Sequence, residues 1–238
     1  MGIEELKFQE KYKYLGIRQN TTIDHSHPKN VFTEQYKNRV TKILNTKLAG
    51  RNITIAINTW AVPILTYSFG IIKWSDTGLD NLDRTTRRLL TKFRCLHPNS
   101  SVTRLYLPRK EGGRGLINIY NLCRAQEHKI RNNLQSSEDN HIKTVIRADK
   151  GYTPLNLVEL GQQIKIKEMD VWREKVLHGK FPKLIDDPYV DKEISLQWIV
   201  YGALYPETEG FMATIQDRLR RTRNYERHVL KMDIEDRC

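Results

Sequence analysis

Residues 76–94 read DTGLDNLDRTTRRLLTKFR, and their pattern of apolar and basic side chains decides the fold class. Apolar residues recur at the spacings of one helix face, which comprises Leu79, Leu82, Leu89, Leu90 and Phe93. Basic residues occupy the rest of the helix surface, and they are Arg84, Arg87, Arg88, Lys92 and Arg94. We therefore predict an amphipathic helix from Asp76 to Arg94, with an apolar face toward a core and a basic face toward solvent.

Two more helices are predicted upstream. From Thr33, the expected N-cap, to about Leu48, apolar residues follow the 4, 3, 4 spacing of one face, and Gly50 is expected to end the helix. A longer helix is predicted over about Asn52–Ile72, with a kink at Pro63 because proline removes a backbone hydrogen bond. Its buried face is expected to comprise Ile53, Ile57, Trp60, Ile64 and Leu65.

The segment Asn52–Ile72 also has the length of a membrane span and carries no charge. Polar residues, a proline and a glycine interrupt it throughout, among them Asn58, Pro63 and Gly70. We therefore interpret it as a buried helix and predict no membrane partner. The first residues, Met1–Leu6, lack the basic and apolar order of a secretory signal.

Outside these helices the chain is predicted to begin with a β element and to continue as helices and loops. Leu6–Gln19 alternates β-favouring residues with Lys and Arg, which is typical of a strand or short hairpin, and a loop follows over Asn20–Asn30. A glycine-rich basic loop at Leu107–Leu116 precedes a fourth helix at Asn118–Gln135. The predicted fold class is therefore mainly α with a short N-terminal β hairpin.

Polar, glycine and proline residues interrupt the helical pattern near residue 150 and indicate the main domain boundary there. Beyond it, helical stretches are predicted near 155–178 and 209–232. A proline-punctuated, aspartate-rich segment, Phe181–Asp191, lies between them.

The charge balance points to a polyanionic partner. The chain has 40 Lys and Arg residues against 28 Asp and Glu residues, a formal net charge of +12. Such a field attracts phosphates, so nucleic acid is the first hypothesis, with acidic lipid or no anionic partner as alternatives. The cysteines, Cys95, Cys123 and Cys238, are too few for a disulfide framework and favour an intracellular location, nuclear or cytoplasmic; the first two are expected in the core.

The sequence supports no catalytic or metal site. The adjacent acidic pair Asp186-Asp187 is followed by proline and predicts a solvated turn rather than a metal site. The pair His25 and His27 has no further ligand at zinc spacing nearby, so a loop is the better interpretation. No Ser, His and Asp arrangement indicates a nucleophile.

Short motifs occur in order along the chain: Tyr-Leu-Gly within Lys13–Ile17, then Gly50-Arg51, Trp60–Tyr67, Leu107–Leu116 and Pro206–Phe211. In this order they resemble the C-terminal part of the reverse transcriptase of non-LTR (LINE-type) retrotransposons. The first is similar to the turn after the palm, where a hairpin grips the primer end. The next two resemble the thumb-helix pattern, the fourth resembles the loop past the thumb, and the last resembles a post-thumb stretch.

The last motif is similar to a stretch found in the reverse transcriptases of lineages that carry a restriction-like endonuclease. In those proteins a similar stretch, continuing through Gln216-Asp217-Arg218, precedes a CCHC zinc knuckle that would start at Cys238. The resemblance implies three consecutive parts: a palm-edge, primer-grip-like β segment and loop at 1–30, a thumb-like helical domain at 31–150, and a smaller helical post-thumb linker at 151–238.

The catalytic motif of the family, [FY]-x-D-D, lies upstream of Tyr-Leu-Gly, but no aspartate precedes Tyr14 in this sequence. The carboxylates that hold two metal ions for polymerisation are therefore missing, and Mg²⁺ would belong to the missing palm. We predict no cofactor for this chain, and no DNA product from a primer–template, dNTPs and Mg²⁺.

The resemblance and the basic helix faces together predict that the chain contacts RNA and DNA in the form of a primer–template duplex. The resemblance also implies that the palm and endonuclease parts of the same polyprotein are its protein partners. The predicted contact residues are Tyr14, Leu15, Gly16, Lys42, Arg51, Arg87, Arg88, Arg109, Lys110, Arg114, Arg221 and Arg223. The loop at 109–115 is explained equally well as a phosphate cradle and as a structural turn. Trp60 could stack on a base, but its position on an apolar face favours the core.

Three other interpretations stay open. The chain could be a repurposed, non-catalytic RNA- or DNA-binding protein, or a structural module whose basic faces bind acidic proteins. It could also be a decayed transposon remnant that does not fold stably.

Overall fold

The computed structural model describes residues 12–14, 16–19, 24–149, 151, 154–155, 157, 168–220, 223–228 and 230–233. The described chain is mainly helical, which confirms the mainly α part of the predicted class. Its α-helices are α1 (Ser26–Leu44), α2 (Gly50–Ala56), α3 (Val62–Thr66), α4 (Asp76–Lys92), α5 (Val102–Tyr106), α6 (Ile119–Gln135), α7 (Asn140–Ala148), α8 (Glu168–Glu174), α9 (Lys180–Ile185), α10 (Lys192–Val200), α11 (Pro206–Gln216) and α12 (Arg223–His228).

The described β structure is short. Strand β1 (Tyr12–Tyr14) pairs antiparallel with β2 (Ile17–Gln19), so that Tyr14 faces Ile17 across the ladder. Gly16 lies in the turn at φ 85°, a left-handed conformation that glycine adopts without a steric penalty. Most of the segment predicted over Leu6–Gln19 lies outside the described residues, and a hairpin of that extent stays a prediction.

Helix α1 begins earlier than predicted. The Asp24 carboxylate accepts hydrogen bonds from the backbone N–H groups of Ser26 (3.1 Å) and His27 (3.3 Å), which caps the helix there. Pro28 lies in the first turn, where its missing N–H leaves no hydrogen bond unmade. The prediction of Thr33 as N-cap is therefore wrong, and so is the predicted loop over residues 26–30.

The helix predicted over Asn52–Ile72 is three consecutive segments. Gly50 begins α2 rather than ending the preceding helix. A π-helix (Ile57–Ala61) follows α2 and precedes α3, in which Pro63 occupies the first turn. A kink was predicted at Pro63, and the structure has a π-helical turn immediately before this proline. The wider turn relieves the crowding that a proline ring causes in a regular α-helix.

Prediction over the C-terminal third was less accurate. The sequence analysis assigned no helix to Phe181–Asp191, and α9 covers much of this segment. Its proline, Pro182, lies in the first helical turn, where proline is tolerated. Helix α10, which the sequence analysis missed, begins at the Asp191 cap, whose carboxylate accepts from Ile194 N–H at 3.0 Å. Asp186 and Asp187 lie in the exposed turn between these helices.

The chain divides into two compact units that interleave along the sequence. Unit 1 comprises Met1–Arg39, Trp60–Asp83 and Ile119–Ile164, and unit 2 comprises Val40–Thr59, Arg84–Asn118 and Lys165–Cys238. The resemblance predicted a different division, into three consecutive parts at 1–30, 31–150 and 151–238. That division stays a prediction.

Unit 1 has an aromatic core. Phe69 and Trp74 pack edge to face, with ring centroids 6.4 Å apart, and the Trp74 indole N–H donates to Ser68 Oγ at 2.9 Å. The Asp83 carboxylate caps α6 by accepting from the N–H groups of Ile119 (3.0 Å) and Tyr120 (3.1 Å). Leu79 and Leu82 of α4 are buried in the same unit, as the helical pattern predicted.

Unit 2 has an apolar core that includes residues of the consecutive helices α8, α9 and α10. Trp172 of α8 is fully buried, and its ring centroid lies 6.2 Å from that of Phe181 in α9. Ile185, Leu196 and Ile199 form a cluster against Phe181. Across the ranges that the structure describes, no helix is long and apolar enough to cross a membrane.

Candidate nucleic-acid interface

The candidate interface lies in unit 2, where one buried carboxylate gathers two of the predicted contact residues. Glu209 of α11 is 1% exposed, and its oxygens accept two hydrogen bonds from Arg109, both at 3.0 Å. Arg114 Nε donates a third at 2.9 Å. Burial alone would raise the pKa of Glu209, but the two guanidinium groups outweigh it and hold that pKa below its ordinary value.

Gly50 completes this cluster, because only a residue without a side chain fits beside Glu209. A Cβ atom at Gly50 would lie 2.9 Å from the carboxyl carbon of Glu209. The Gly50 N–H donates to the Leu204 carbonyl at 2.9 Å, which holds the start of α2 against the chain just before α11. Three motifs quoted in the sequence analysis therefore meet at Glu209: Gly50-Arg51, Leu107–Leu116 and Pro206–Phe211.

A second buried ion pair lies in the same unit and was missed by the sequence analysis. Arg104 of α5 is 2% exposed, and its Nη1 lies 2.9 Å from Oδ1 of Asp217. The Arg104 Nε donates to the Gly112 carbonyl at 3.0 Å, and its guanidinium lies 4.9 Å from the Phe181 ring centroid. Nothing local marks Arg104, since its partner is more than a hundred residues away.

These contacts correct the prediction for Arg109 and Arg114. Arg114 is 4% exposed, and both arginines donate to Glu209 instead of facing solvent, so neither is available to an external phosphate. The glycine-rich loop is a structural turn. Gly112 has a φ of 84°, and a Cβ at Gly113 would lie 2.1 Å from the Leu107 carbonyl oxygen. Of the loop's predicted contacts, Lys110 alone is exposed.

The basic face of α4 has the opposite character, because it remains open. Arg84, Arg87 and Arg88 line a cavity of about 320 Å³ together with Thr91, Leu96, Pro98, Ser100 and Val102. None of these lining residues is acidic. Arg87 Nη1 donates to the Tyr106 hydroxyl at 2.7 Å, which fixes the direction of its side chain. Within the described part of the chain, the Ser100 hydroxyl has no hydrogen-bond partner.

A larger cavity of about 700 Å³ adjoins the first one, since Thr91, Leu96 and Pro98 line both. Its other lining residues come from the end of α4, from α11 and from the segment after α11: Arg94, His97, Glu207, Gly210, Phe211, Thr214, Leu219 and Arg220. We call the first the arginine cavity and the second the Phe211 cavity. Both lie within unit 2.

Other predicted contact residues are scattered. Lys42 is exposed on α1, Arg51 is half-buried at the start of α2, and Gly16 is exposed in the turn between β1 and β2. Tyr14 lies in β1 and Arg223 in α12. Leu15 and Arg221 lie outside the described residues. The structure brings Arg87 and Arg88 together in the arginine cavity.

Trp60 is not in the core as predicted. It is 44% exposed, and the Arg39 guanidinium lies 4.9 Å from the indole ring centroid. Arg39 also donates to the Trp60 carbonyl at 2.6 Å. The reason is the π-helix, which shifts the helical phase so that Trp60 leaves the stripe defined by a 3.6-residue period.

The two described cysteines are buried, as predicted. Cys95 is 2% exposed, and burial raises the pKa of its thiol to about 11. Burial also raises the pKa of the Cys123 thiol. Both are therefore protonated core residues at neutral pH. Cys238 lies outside the described residues, and the part of the chain that the structure describes holds no cluster of potential metal ligands.

Comparisons of the chain with protein-family models, with curated proteins and with solved structures found no match. Function is therefore inferred from the residues and geometry of this chain.

Proposed function

We propose that this protein binds nucleic acid through the sugar–phosphate backbone, and that the arginine cavity is the principal contact. The observation behind this proposal is that three arginines and no acidic residue line one cavity. Arg84, Arg87 and Arg88 are spaced i, i+3 and i+4, which places them on one face of α4.

Phosphate fits this site better than a neutral ligand does. Guanidinium groups donate paired hydrogen bonds to phosphate oxygens, and within the described chain no carboxylate forms an ion pair with any of the three arginines to compete for them. Ser100 also lines the cavity, and among the described residues its buried hydroxyl has no hydrogen-bond partner. The net charge of +12 supplies long-range attraction to a polyanion, while these local groups determine where the backbone binds.

We further propose that the chain corresponds to the thumb and linker of a LINE-type reverse transcriptase. Two observations support this. The motifs occur in the family's order, and residues from three of them meet at Glu209, as expected of one folding unit. In this proposal the N-terminal hairpin is the primer-grip element, and the basic face of α4 holds the primer–template without performing chemistry.

The test is the affinity for an RNA–DNA duplex, measured by fluorescence anisotropy over a range of salt concentrations. We expect the triple variant R84Q/R87Q/R88Q to bind at least about tenfold more weakly, and the slope of log affinity against log salt to fall by about 2 to 3. A triple variant of other exposed cations, K129Q/K143Q/R147Q, removes the same charge from α6 and α7 and serves as the control.

The control should lose much less affinity than the cavity variant. An equal loss in both would mean that net charge alone drives binding, and that the arginine cavity is not a site. Absence of duplex binding by the unaltered protein at low salt would overturn the proposal itself.

A further inference from the structure

We propose that the Phe211 cavity binds an unpaired nucleobase of the same strand whose phosphates occupy the arginine cavity. This inference rests on the proposed function and adds the form of nucleic acid that is bound: a single-stranded or frayed end rather than an uninterrupted duplex.

The two adjoining cavities differ in chemistry. The arginine cavity is lined by cations and by no acidic residue, as the phosphate backbone requires. The Phe211 cavity contains an aromatic ring, apolar side chains, the carboxylate of Glu207 and two cations, Arg94 and Arg220. Phe211 and its apolar neighbours suit a planar base, and the arginine cavity offers no aromatic ring. Because the cavities share Thr91, Leu96 and Pro98, one nucleotide can place its phosphate in the first and its base in the second.

Phe211 provides a stacking surface for that base. It is 44% exposed, although burial of a phenylalanine ring is strongly favourable. The guanidinium carbon of Arg220 lies 4.9 Å from the centroid of the ring. An arginine stacked on an aromatic ring presents a flat cationic surface, and bases stack on both kinds of plane in protein–RNA complexes. The aromatic–arginine pair therefore fits a base better than it fits an aliphatic ligand.

The cavity also has the size and the polar groups that a base requires. Its volume of about 700 Å³ lies within the range of small-molecule sites in proteins. Glu207 can accept hydrogen bonds from the amino groups of a base, and Arg94 and His97 line the same cavity as donors. The apolar floor contains Leu96 and Leu219.

The experiment compares two labelled DNA strands of about 12 nucleotides, a length within the usual site sizes for single strands. One has a mixed sequence, and the other has abasic sites at every internal position, so that it keeps the phosphates and lacks the bases. We expect the unaltered protein to bind the strand with bases about tenfold more tightly. F211L should abolish this difference while leaving affinity for the abasic strand unchanged, and F211Y should restore it.

Y201L is the matched control, because Tyr201 is an exposed aromatic residue that does not line the cavity. It should retain the preference for bases. Circular dichroism and thermal melting show whether each variant is folded, and Phe211 is exposed enough for leucine to be tolerated.

Equal binding of both strands by the unaltered protein, or an equal effect of F211L on both, would overturn the inference while the proposed function stands. Failure to bind either single strand while the RNA–DNA duplex is still bound would overturn this inference alone, and absence of binding to the duplex as well would overturn the proposed function with it.

Discussion

Two sets of arginines in unit 2 look alike in the sequence and have opposite environments. Arg104, Arg109 and Arg114 are buried or nearly so and pair with Asp217 or Glu209. Arg84, Arg87 and Arg88 line an open cavity that has no acidic residue. The first set joins distant segments of the chain, and the second is available to a ligand. A basic motif therefore does not by itself indicate a ligand site, because a buried carboxylate can be its partner.

The largest effect expected from this comparison is on the buried set. E209Q leaves the guanidinium groups of Arg109 and Arg114 without a counter-charge, and we expect the free energy of unfolding to fall by about 3–5 kcal/mol. Urea denaturation followed by circular dichroism measures it. E207Q alters an exposed carboxylate on the same helix and should change stability by no more than about 0.5 kcal/mol. Similar losses in both variants would contradict the structural role of Glu209.

The next effect concerns the glycine-rich loop that carries Arg109 and Arg114. G113A would place a Cβ 2.1 Å from the Leu107 carbonyl oxygen, which is backbone and cannot rotate away. We expect a loss of about 2–3 kcal/mol in unfolding free energy. G151A adds a methyl group to open space at φ 78° and should cost only the left-handed penalty of about 1 kcal/mol. If G113A cost no more than G151A, the loop would not be the tight turn described above.

A smaller effect is expected when acid pH protonates Glu209. The folded-state pKa of Glu209 lies below its unfolded value, since Arg109 and Arg114 favour the charged form. Its contribution to stability is therefore complete above the unfolded pKa and is lost as pH falls through the folded pKa. Urea midpoints measured from neutral to acid pH should decline over this window, and E209Q should decline less. Identical profiles would show that Glu209 does not titrate with folding.

The smallest stability effect is expected for the exposed set. R88Q should change the free energy of unfolding by no more than about 0.5 kcal/mol, because Arg88 is exposed and no partner loses a bond among the described residues. It should nevertheless lower the slope of log affinity against log salt by about 0.9 for duplex DNA. R114Q should do the reverse, with a clear loss of stability and an unchanged slope for the folded protein. Equal changes in stability and in salt slope for R88Q and R114Q would contradict the distinction between buried and exposed arginines.

Prediction from sequence was most accurate where structure depends on near neighbours. The apolar spacing in residues 76–94 predicted α4 and the burial of Leu79, Leu82 and Leu90. It was wrong where a single group changes the helical phase or end. The Asp24 carboxylate starts α1 early, and the π-helix before Pro63 turns Trp60 outward. Such effects need coordinates, because a 3.6-residue period assumes an unbroken helix.

The candidate site shows the same division between local and distant effects. The basic face of α4, with Arg84, Arg87 and Arg88, follows from spacing on one helix. The roles of Arg109 and Arg114 do not, since their partner is about a hundred residues away in the chain. The Phe211 cavity also joins the end of α4 to α11, which no local pattern predicts.

By itself the sequence determined the helical class, the basic face of α4 and the strong positive charge, because helical periodicity is local and charge is additive. The tertiary structure alone decided which arginines are neutralised inside unit 2 and which remain open to a ligand. Burial and ion pairing depend on residues that folding brings together from distant parts of the chain, as Gly50, Arg114 and Glu209 are brought together in this protein.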